Sequence, residues 1–340
     1  MTFARHYNAR VRIDSSAPTR IDLAGGTYDI WPLYLFHDKA QTLNTAISLR
    51  ARCTLTSRRD YRIHLVSEDT GEEVEAADPA ALPLDRLPLV SRLVRHFGAR
   101  GLEVRTKAES PVGAGIAGSS AMHIALIGAL AAWTGRPMSD DEMLTTAMNI
   151  EAQVIKVPAG VQDYRPALYG GVSAVELGVS GVRRVALDVV PAELERRLVL
   201  AYTGASRNSG INNWDVMVRR INGDEAVVDA FEAIRHAAAA MRESLEAGDW
   251  SAVGVMMAAE WQARKRLAPG VATPEIDLLL ERARFAGALA GKVCGAGGGG
   301  CLVCLVDPTR KAEVEASLTS GGARVLPFRI ETEGLVVTKS

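Results

Sequence analysis

Net charge is what this chain most plainly lacks: 39 Lys and Arg against 40 Asp and Glu leave −1 over 340 residues. Such a balance gives no bulk attraction to nucleic acid or to an anionic membrane, so neither is expected as a partner. The arginine pairs Arg58-Arg59, Arg183-Arg184, Arg196-Arg197 and Arg219-Arg220 are scattered and read as solvated faces. No run of about eighteen uninterrupted apolar residues occurs, which excludes an evident membrane-spanning helix. The first residues, Met-Thr-Phe-Ala-Arg-His-Tyr-Asn, show no apolar signal region. Cysteine is scarce, with four in all. Cys301 and Cys304 sit in Cys-Leu-Val-Cys-Leu-Val, which reads as a buried strand whose i and i+3 positions face opposite ways. Burial is expected there rather than metal ligation, and a cytoplasmic location is expected for the protein.

Several catalytic signatures are also missing. No Lys-[Ser/Thr] follows a P-loop glycine pattern, and no Gly-x-Gly-x-x-Gly opens a βαβ unit with an acidic residue downstream. The protein-kinase loops, a Gly-x-Ser-x-Gly elbow and a His-Glu-x-x-His zinc motif are absent too. No repeat of 20–50 residues and no low-complexity tract is present. At 48% hydrophobic and 23% charged, the composition is that of a soluble globular protein of one large or two ordinary domains.

Apolar periodicity predicts strands at 9–14 and 19–24, a long half-buried strand at 43–57, and a hairpin from 61–66 and 72–76. A short helix over 90–97 and a strand over 102–108 lead into glycine-rich 111–121, followed by a helix over 119–134. Ser139 with Glu142 forms a capping box for a second helix ending near Lys156. Strands are expected at 171–177, 183–189 and 198–203, a mostly helical block from about 209 to 290, strands at 301–306, 324–330 and 334–338, and a helix over 308–320. We place a domain boundary near Pro191, dividing 1–190 from 191–340.

Three separated segments carry the chemistry. Pro111-Val-Gly-Ala-Gly-Ile-Ala-Gly-Ser-Ser-Ala121 opens directly into an apolar helix. Glycine lets backbone N–H groups face a ligand, and a helix start adds open donors and partial positive charge. The result is either an anion cradle, typically for phosphate, or a tight turn capping a buried helix. Ala17-Pro-Thr-Arg-Ile-Asp-Leu-Ala-Gly-Gly-Thr-Tyr-Asp29 ends a strand in a Gly-Gly turn flanked by Arg20 and Asp29. In Gly291-Lys-Val-Cys-Gly-Ala-Gly-Gly-Gly-Gly-Cys301, six of eleven residues are glycine. That entropic cost makes sense where backbone passes very close to something bulky.

These three segments, in this order, resemble those of the GHMP small-molecule kinases across essentially the whole chain. Gly160-Val-Gln-Asp163 with Tyr169-Gly-Gly171, and Thr203-Gly-Ala-Ser-Arg-Asn-Ser209, are most similar to the branch of heptose 7-phosphate kinases and fucose-type sugar kinases. Tyr28 departs from that branch's usual Thr, and Ala117 and Gly118 depart from its usual Gly and Ser. The resemblance implies an α+β, two-domain fold. Its N-terminal mixed α/β domain carries the glycine-rich phosphate loop, and its C-terminal domain is ferredoxin-like. It implies ATP-dependent phosphorylation of a hydroxyl, in that branch the anomeric one, on a small sugar or sugar phosphate. A non-sugar alcohol such as mevalonate, or a silent sensor of the same fold, are the alternatives.

ATP is implied as donor, on Pro111, Gly113, Gly115, Ala117, Gly118, Ser119, Ser120 and Ala121. Mg²⁺ would be held by Ser120 and Glu151, a hard cation that needs few protein oxygens beside phosphate and water. Asp163 matches the family's catalytic carboxylate, and Arg20, always protonated, would stabilise charge on the attacking oxygen. Asp29, Gly26, Thr27, Arg207, Gly297 and Gly298 are the candidates for the acceptor. His123, inside an apolar helix, is expected to be a satisfied core histidine. The resemblance leaves a homodimer open.

Overall fold

The long alternating stretch around residue 50 becomes the spine of the first sheet. The computed structural model describes residues 11–205 and 210–340, with backbone alone at 210–212. β1 (Arg12–Ala24) lies antiparallel to β2 (Ala40–Ser57) along its whole length. The expected break between two short strands is instead a register shift at Pro18/Thr19. Pro18 cannot donate to the ladder, so the irregularity falls where a donor is missing. β3 (Ile63–Ser67) and β4 (Glu72–Ala76) form the expected hairpin. α1 (Pro88–Phe97) follows, then β5 (Leu102–Ala108), which pairs with the second half of β2 and lies parallel to β3.

α2 (Gly118–Thr134) is buried continuously from Ser120 to Ala131, as an all-round apolar helix must be. α3 (Asp140–Ile155) carries the Ser139/Glu142 capping box. The short α4 (Tyr164–Tyr169) was not visible in the sequence pattern: its Pro166 reads as a breaker, yet sits in the first turn where no N–H bond is lost. β6 (Val172–Gly178) pairs with the first half of β2, and β7 (Gly181–Ala186) completes that edge.

After α5 (Pro191–Glu195) and β8 (Leu198–Tyr202) come α6 (Gly210–Ile221), α7 (Glu225–Ala247), α8 (Trp250–Lys265) and α9 (Pro274–Phe285). Asp224 and Asp249 cap α7 and α8 at the breaks the sequence shows. β9 (Ala288–Val293) begins within the last residues of the stretch expected to be mostly helical, to about 290; its Ala-Leu-Ala-Gly start has no β-branched residue. β10 (Cys301–Val306) is wholly buried, cysteines included. α10 (Lys311–Ser320) leads to β11 (Arg324–Val325), which stops short of the expected 330, since Pro327 lacks a donor.

The second sheet runs β11-β8-β10-β9, antiparallel throughout. In its own numbering the order is 4-1-3-2 with helices between, which is ferredoxin-like. β12 (Val336–Lys339) returns to pair with β1 of the first sheet. The two sheets share a core in which Ile21, Leu23, Leu43 and Ile47 meet Leu198, Leu200, Met241, Met257, Val303 and Leu305.

Candidate active site

Three left-handed residues shape the glycine loop: Gly113 at φ 69°, Gly115 at φ 72° and Ala117 at φ 61°. Its carbonyls are drawn backward. Ile116 O accepts from Arg20 N at 3.0 Å, Gly115 O from the Arg20 guanidinium at 2.8 Å, and Ala114 O from Cys301 N at 2.7 Å. That leaves the N–H groups that open α2 as free donors of a helix start, beside a cavity. Pro111, Gly113, Gly115, Ala117, Gly118, Ser119 and Ser120 line this cavity, whose far end is formed by Leu87–Val90, Ser67 and Asp69. Ala121 is the exception among the candidates and is buried in the α2 core.

A second cavity is lined by Arg20, Asp22, Gly26, Thr27, Asp29, Gln162, Asp163, Asn213, Gly295 and Ala296. Ser120, Glu151 and Asp163 line both cavities, so the two meet at those three side chains. Gly297 and Gly298 are not on the second cavity; they lie against the loop at 270–271, where Gly298 N donates to Val271 O at 2.8 Å. The four-glycine run does pass close to something bulky, but that something is backbone. A Cβ on Gly297 would meet Val271 O at 2.5 Å, and one on Gly300 would meet Ala114 O at 2.6 Å. Arg207 lies outside the described residues.

Arg20 extends from β1, and both its Nε (3.0 Å) and Nη2 (2.7 Å) donate to Asp163 Oδ1. Asp163 stands at the N-cap position of α4, but its carboxylate makes no cap hydrogen bond and turns to Arg20 instead. Burial pushes the Asp163 carboxyl above the ordinary range, against the pull of Arg20. Arg20 loses basicity to burial but regains more from Asp163 and Asp22, and stays charged. Asp29 is pushed up to about 6, first by burial and then by the charge of Asp163, while Gln162 N opposes the shift. Gln162 donates to both Asp29 oxygens, from N at 3.0 Å and Nε2 at 3.2 Å. Gly160 makes room for this carboxylate, since a Cβ there would lie 2.2 Å from Asp29 Oδ2.

Glu151 reaches the junction from α3. Its Oε2 receives the Ser120 hydroxyl at 3.3 Å and a short hydrogen bond from the Tyr164 hydroxyl. Among the described residues no group of three His, Cys, Asp or Glu could cage a metal by itself. A carboxylate and a hydroxyl beside the open helix start nevertheless fit a cation that keeps phosphate and water ligands. His123 is fully buried, with Nδ1 donating to Ser119 O at 3.0 Å and Nε2 without a partner among the described residues; burial lowers its pKa. Tyr28, the departure in the first segment, does not line the second cavity: it is buried and donates to Phe231 O at 2.9 Å.

Residues 87–171 match the family described as GHMP kinases N terminal domain, and residues 241–324 match GHMP kinases C terminal. A D-glycero-alpha-D-manno-heptose 7-phosphate kinase of Campylobacter jejuni subsp. jejuni is 30% identical over 95% of this chain and 98% of its own length. This chain belongs to the GHMP kinase family. Such kinases use ATP as phosphate donor, and this GHMP kinase is a phosphotransferase with a small-molecule acceptor. Its fold matches the crystal structure of a D-glycero-D-manno-heptose 1-phosphate kinase from Bacteriodes thetaiotaomicron, with TM-score 0.77 and 26% identity over 96% of this chain and 98% of that one. A mevalonate kinase of Thermococcus gammatolerans is more distant, 28% identical over 69% of each chain. No helix among the described residues is long and apolar enough to cross a membrane.

Four buried charges at the second cavity escaped sequence reasoning. Asp22 on β1, Glu260 and Arg264 on α8, and Lys292 on β9 form one cluster. The available signals were the i, i+4 spacing of Glu260 and Arg264 on a helix, and a lysine inside an apolar strand.

Proposed function

We propose that this kinase transfers the γ-phosphate of ATP to a hydroxyl, the anomeric one, of a sugar or sugar phosphate of heptose 7-phosphate type. The observation that carries this reading is the junction: a glycine-loop cavity and a polar cavity share Ser120, Glu151 and Asp163. Phosphoryl transfer needs a donor and an acceptor to meet in line at one point. The open N–H groups at the start of α2 bind the phosphates. Asp163 accepts the proton of the acceptor hydroxyl, and Arg20 orients that carboxylate and favours the alkoxide character that develops. Asp29, fixed by Gln162, binds acceptor hydroxyls, with Gly26 and Thr27 forming the wall beside it. Ser120 and Glu151 would hold Mg²⁺, which when bound offsets charge on the phosphates.

Arg20 is the one cation lining this cavity among the described residues, and Asp163 already engages it, so the groups that meet Asp29 and Asp163 are uncharged hydroxyls, and an anionic end of the acceptor, a 7-phosphate included, lies away from these carboxylates. ADP release with sugars, sugar phosphates and branched alcohols, each with and without Mg²⁺, tests the reading. Turnover of a sugar or sugar phosphate supports it. Turnover of mevalonate alone, or sugar binding with no turnover, rejects it. The division at Pro191, a cytoplasmic location and a homodimeric state are proposals too, open to limited proteolysis, fractionation and sedimentation.

A further inference from the structure

Asp22, Glu260 and Lys292 have fully buried side chains, and that of Arg264 is 2% exposed. Lys292 Nζ lies 3.0 Å from Glu260 Oε2 and 3.5 Å from Asp22 Oδ2. Arg264 Nη1 lies 3.4 Å from that same Asp22 oxygen and 3.5 Å from Glu260 Oε1. The formal charges cancel, two against two. Several of these contacts are at ion-pair distance without hydrogen-bond alignment, and Asp22 Oδ1 and both Glu260 oxygens have no hydrogen-bond partner among the described residues.

Such a cluster is a poor device for stability. Desolvating each ion costs several kcal/mol, and well-packed apolar side chains often serve as well or better. Its outward contacts point to a different use. Arg264 Nη2 donates to the Gly295 carbonyl, and Lys292 Nζ donates to Leu23 O at 3.3 Å. Gly26 closes against it: a Cβ there would lie 2.3 Å from Arg264 Nη1 and 2.5 Å from Asp22 Oδ2. Asp22, Gly26 and Gly295 all line the second cavity, although they come from opposite ends of the sequence.

We propose that Glu260, Arg264 and Lys292 are positioning residues: they clamp the Gly25–Gly26 turn to the Gly295 loop and so set the width of the acceptor cavity. A point charge and a fork on two elements fix the spacing of a β1 turn and a C-terminal loop more narrowly than interchangeable apolar contacts would. The link to the acceptor rests on the function proposed above; the clamp itself does not.

The test uses the full chain carrying Glu260→Gln with Lys292→Met, which removes one charge of each sign, and separately Arg264→Lys. In the ligand-free protein, amide exchange at residues 25–27 and 295–296 is expected to quicken about tenfold or more, with residues 113–118 unchanged. With D-glycero-D-manno-heptose 7-phosphate as acceptor, its KM should rise about tenfold while the KM for ATP stays put. Unchanged exchange in a folded variant overturns the clamp, as does exchange that quickens equally everywhere. If the double variant does not fold, Gly26→Ala, which alters no charge, is read in the same way. Faster exchange at the two segments in the variants, together with a wild type that phosphorylates no sugar, would keep the clamp and remove the acceptor assignment.

Discussion

Arg20 directs two donors, Nε and Nη2, at a single oxygen of Asp163, and no hydrogen bond among the described residues reaches the other oxygen, Oδ2. The pair is therefore asymmetric: one oxygen is anchored and one is left for a hydroxyl in the cavity. Asp163→Asn keeps the shape and removes the proposed proton acceptor. Turnover is expected to fall by on the order of 10²-fold or more, with ATP affinity kept. Near-normal turnover in the ADP-release assay would show that Asp163 only positions the acceptor.

The raised carboxyls give a pH dependence. Burial favours the neutral forms of Asp29 and Asp163, so kcat/KM is expected to decline as pH falls through about 6, the value for Asp29. The two acids interact, and the acid limb belongs to the pair. Stability runs the other way. A folded-state pKa above the unfolded value means that the folded protein binds the proton more tightly. The Asp29 contribution therefore falls away as pH rises from about 4 to about 6. Carbon-13 NMR of the Asp29 carboxyl should show its pKa dropping in Asp163→Asn, because one of the charges that raises it is gone.

Gly300 has φ 82°, and a Cβ there would sit 2.6 Å from Ala114 O, in the wall of the glycine loop. Both the left-handed backbone and the contact oppose a side chain. Gly300→Ala is expected to cost about 2 kcal/mol or more in thermal or chemical unfolding and to weaken ATP binding measured by calorimetry. Gly71, with nothing within 4 Å, is the control, since Gly71→Ala meets the backbone penalty alone. Equal losses in the two variants would show that the loop–loop contact is loose.

Glu151 and Ser120 are proposed for Mg²⁺, with the Tyr164 hydroxyl holding the Glu151 carboxylate. Glu151→Gln should raise the half-saturating Mg²⁺ concentration about tenfold or more, and Tyr164→Phe by a smaller factor within the range of outer-shell changes. Mn²⁺ binding in the presence of ADP, read by electron paramagnetic resonance, checks this apart from turnover. An unaltered Mn²⁺ affinity in Glu151→Gln removes Glu151 from the metal site.

Much of this was legible in the sequence where local chemistry dominates. The capping box at Ser139, the glycine stops and the β3–β4 hairpin depend on neighbours in the chain, and they fold as read. The glycine loop was legible as a motif, and the family resemblance implied Arg20 and Asp163 as residues of one site. What stayed hidden depends on distant partners. α4 exists because its Tyr164 and Ala167 are buried in the first core. β9 is a strand because β10 pairs with it, not because Ala288-Leu-Ala-Gly favours one. The Gly297 and Gly298 candidates show the same limit from the other side: a glycine run signals close approach but not which partner approaches. The charge cluster unites residues 22, 260, 264 and 292, a span that local periodicity does not cross.

The short helix α4 has a consequence for how this enzyme can be tuned. Asp163 and Tyr164 are consecutive, one holding Arg20 and the other holding Glu151. A rotation of that single turn would shift the proposed proton acceptor and the proposed cation carboxylate together. Adaptation to a new acceptor or a new ion therefore cannot adjust either task at this turn without disturbing its twin.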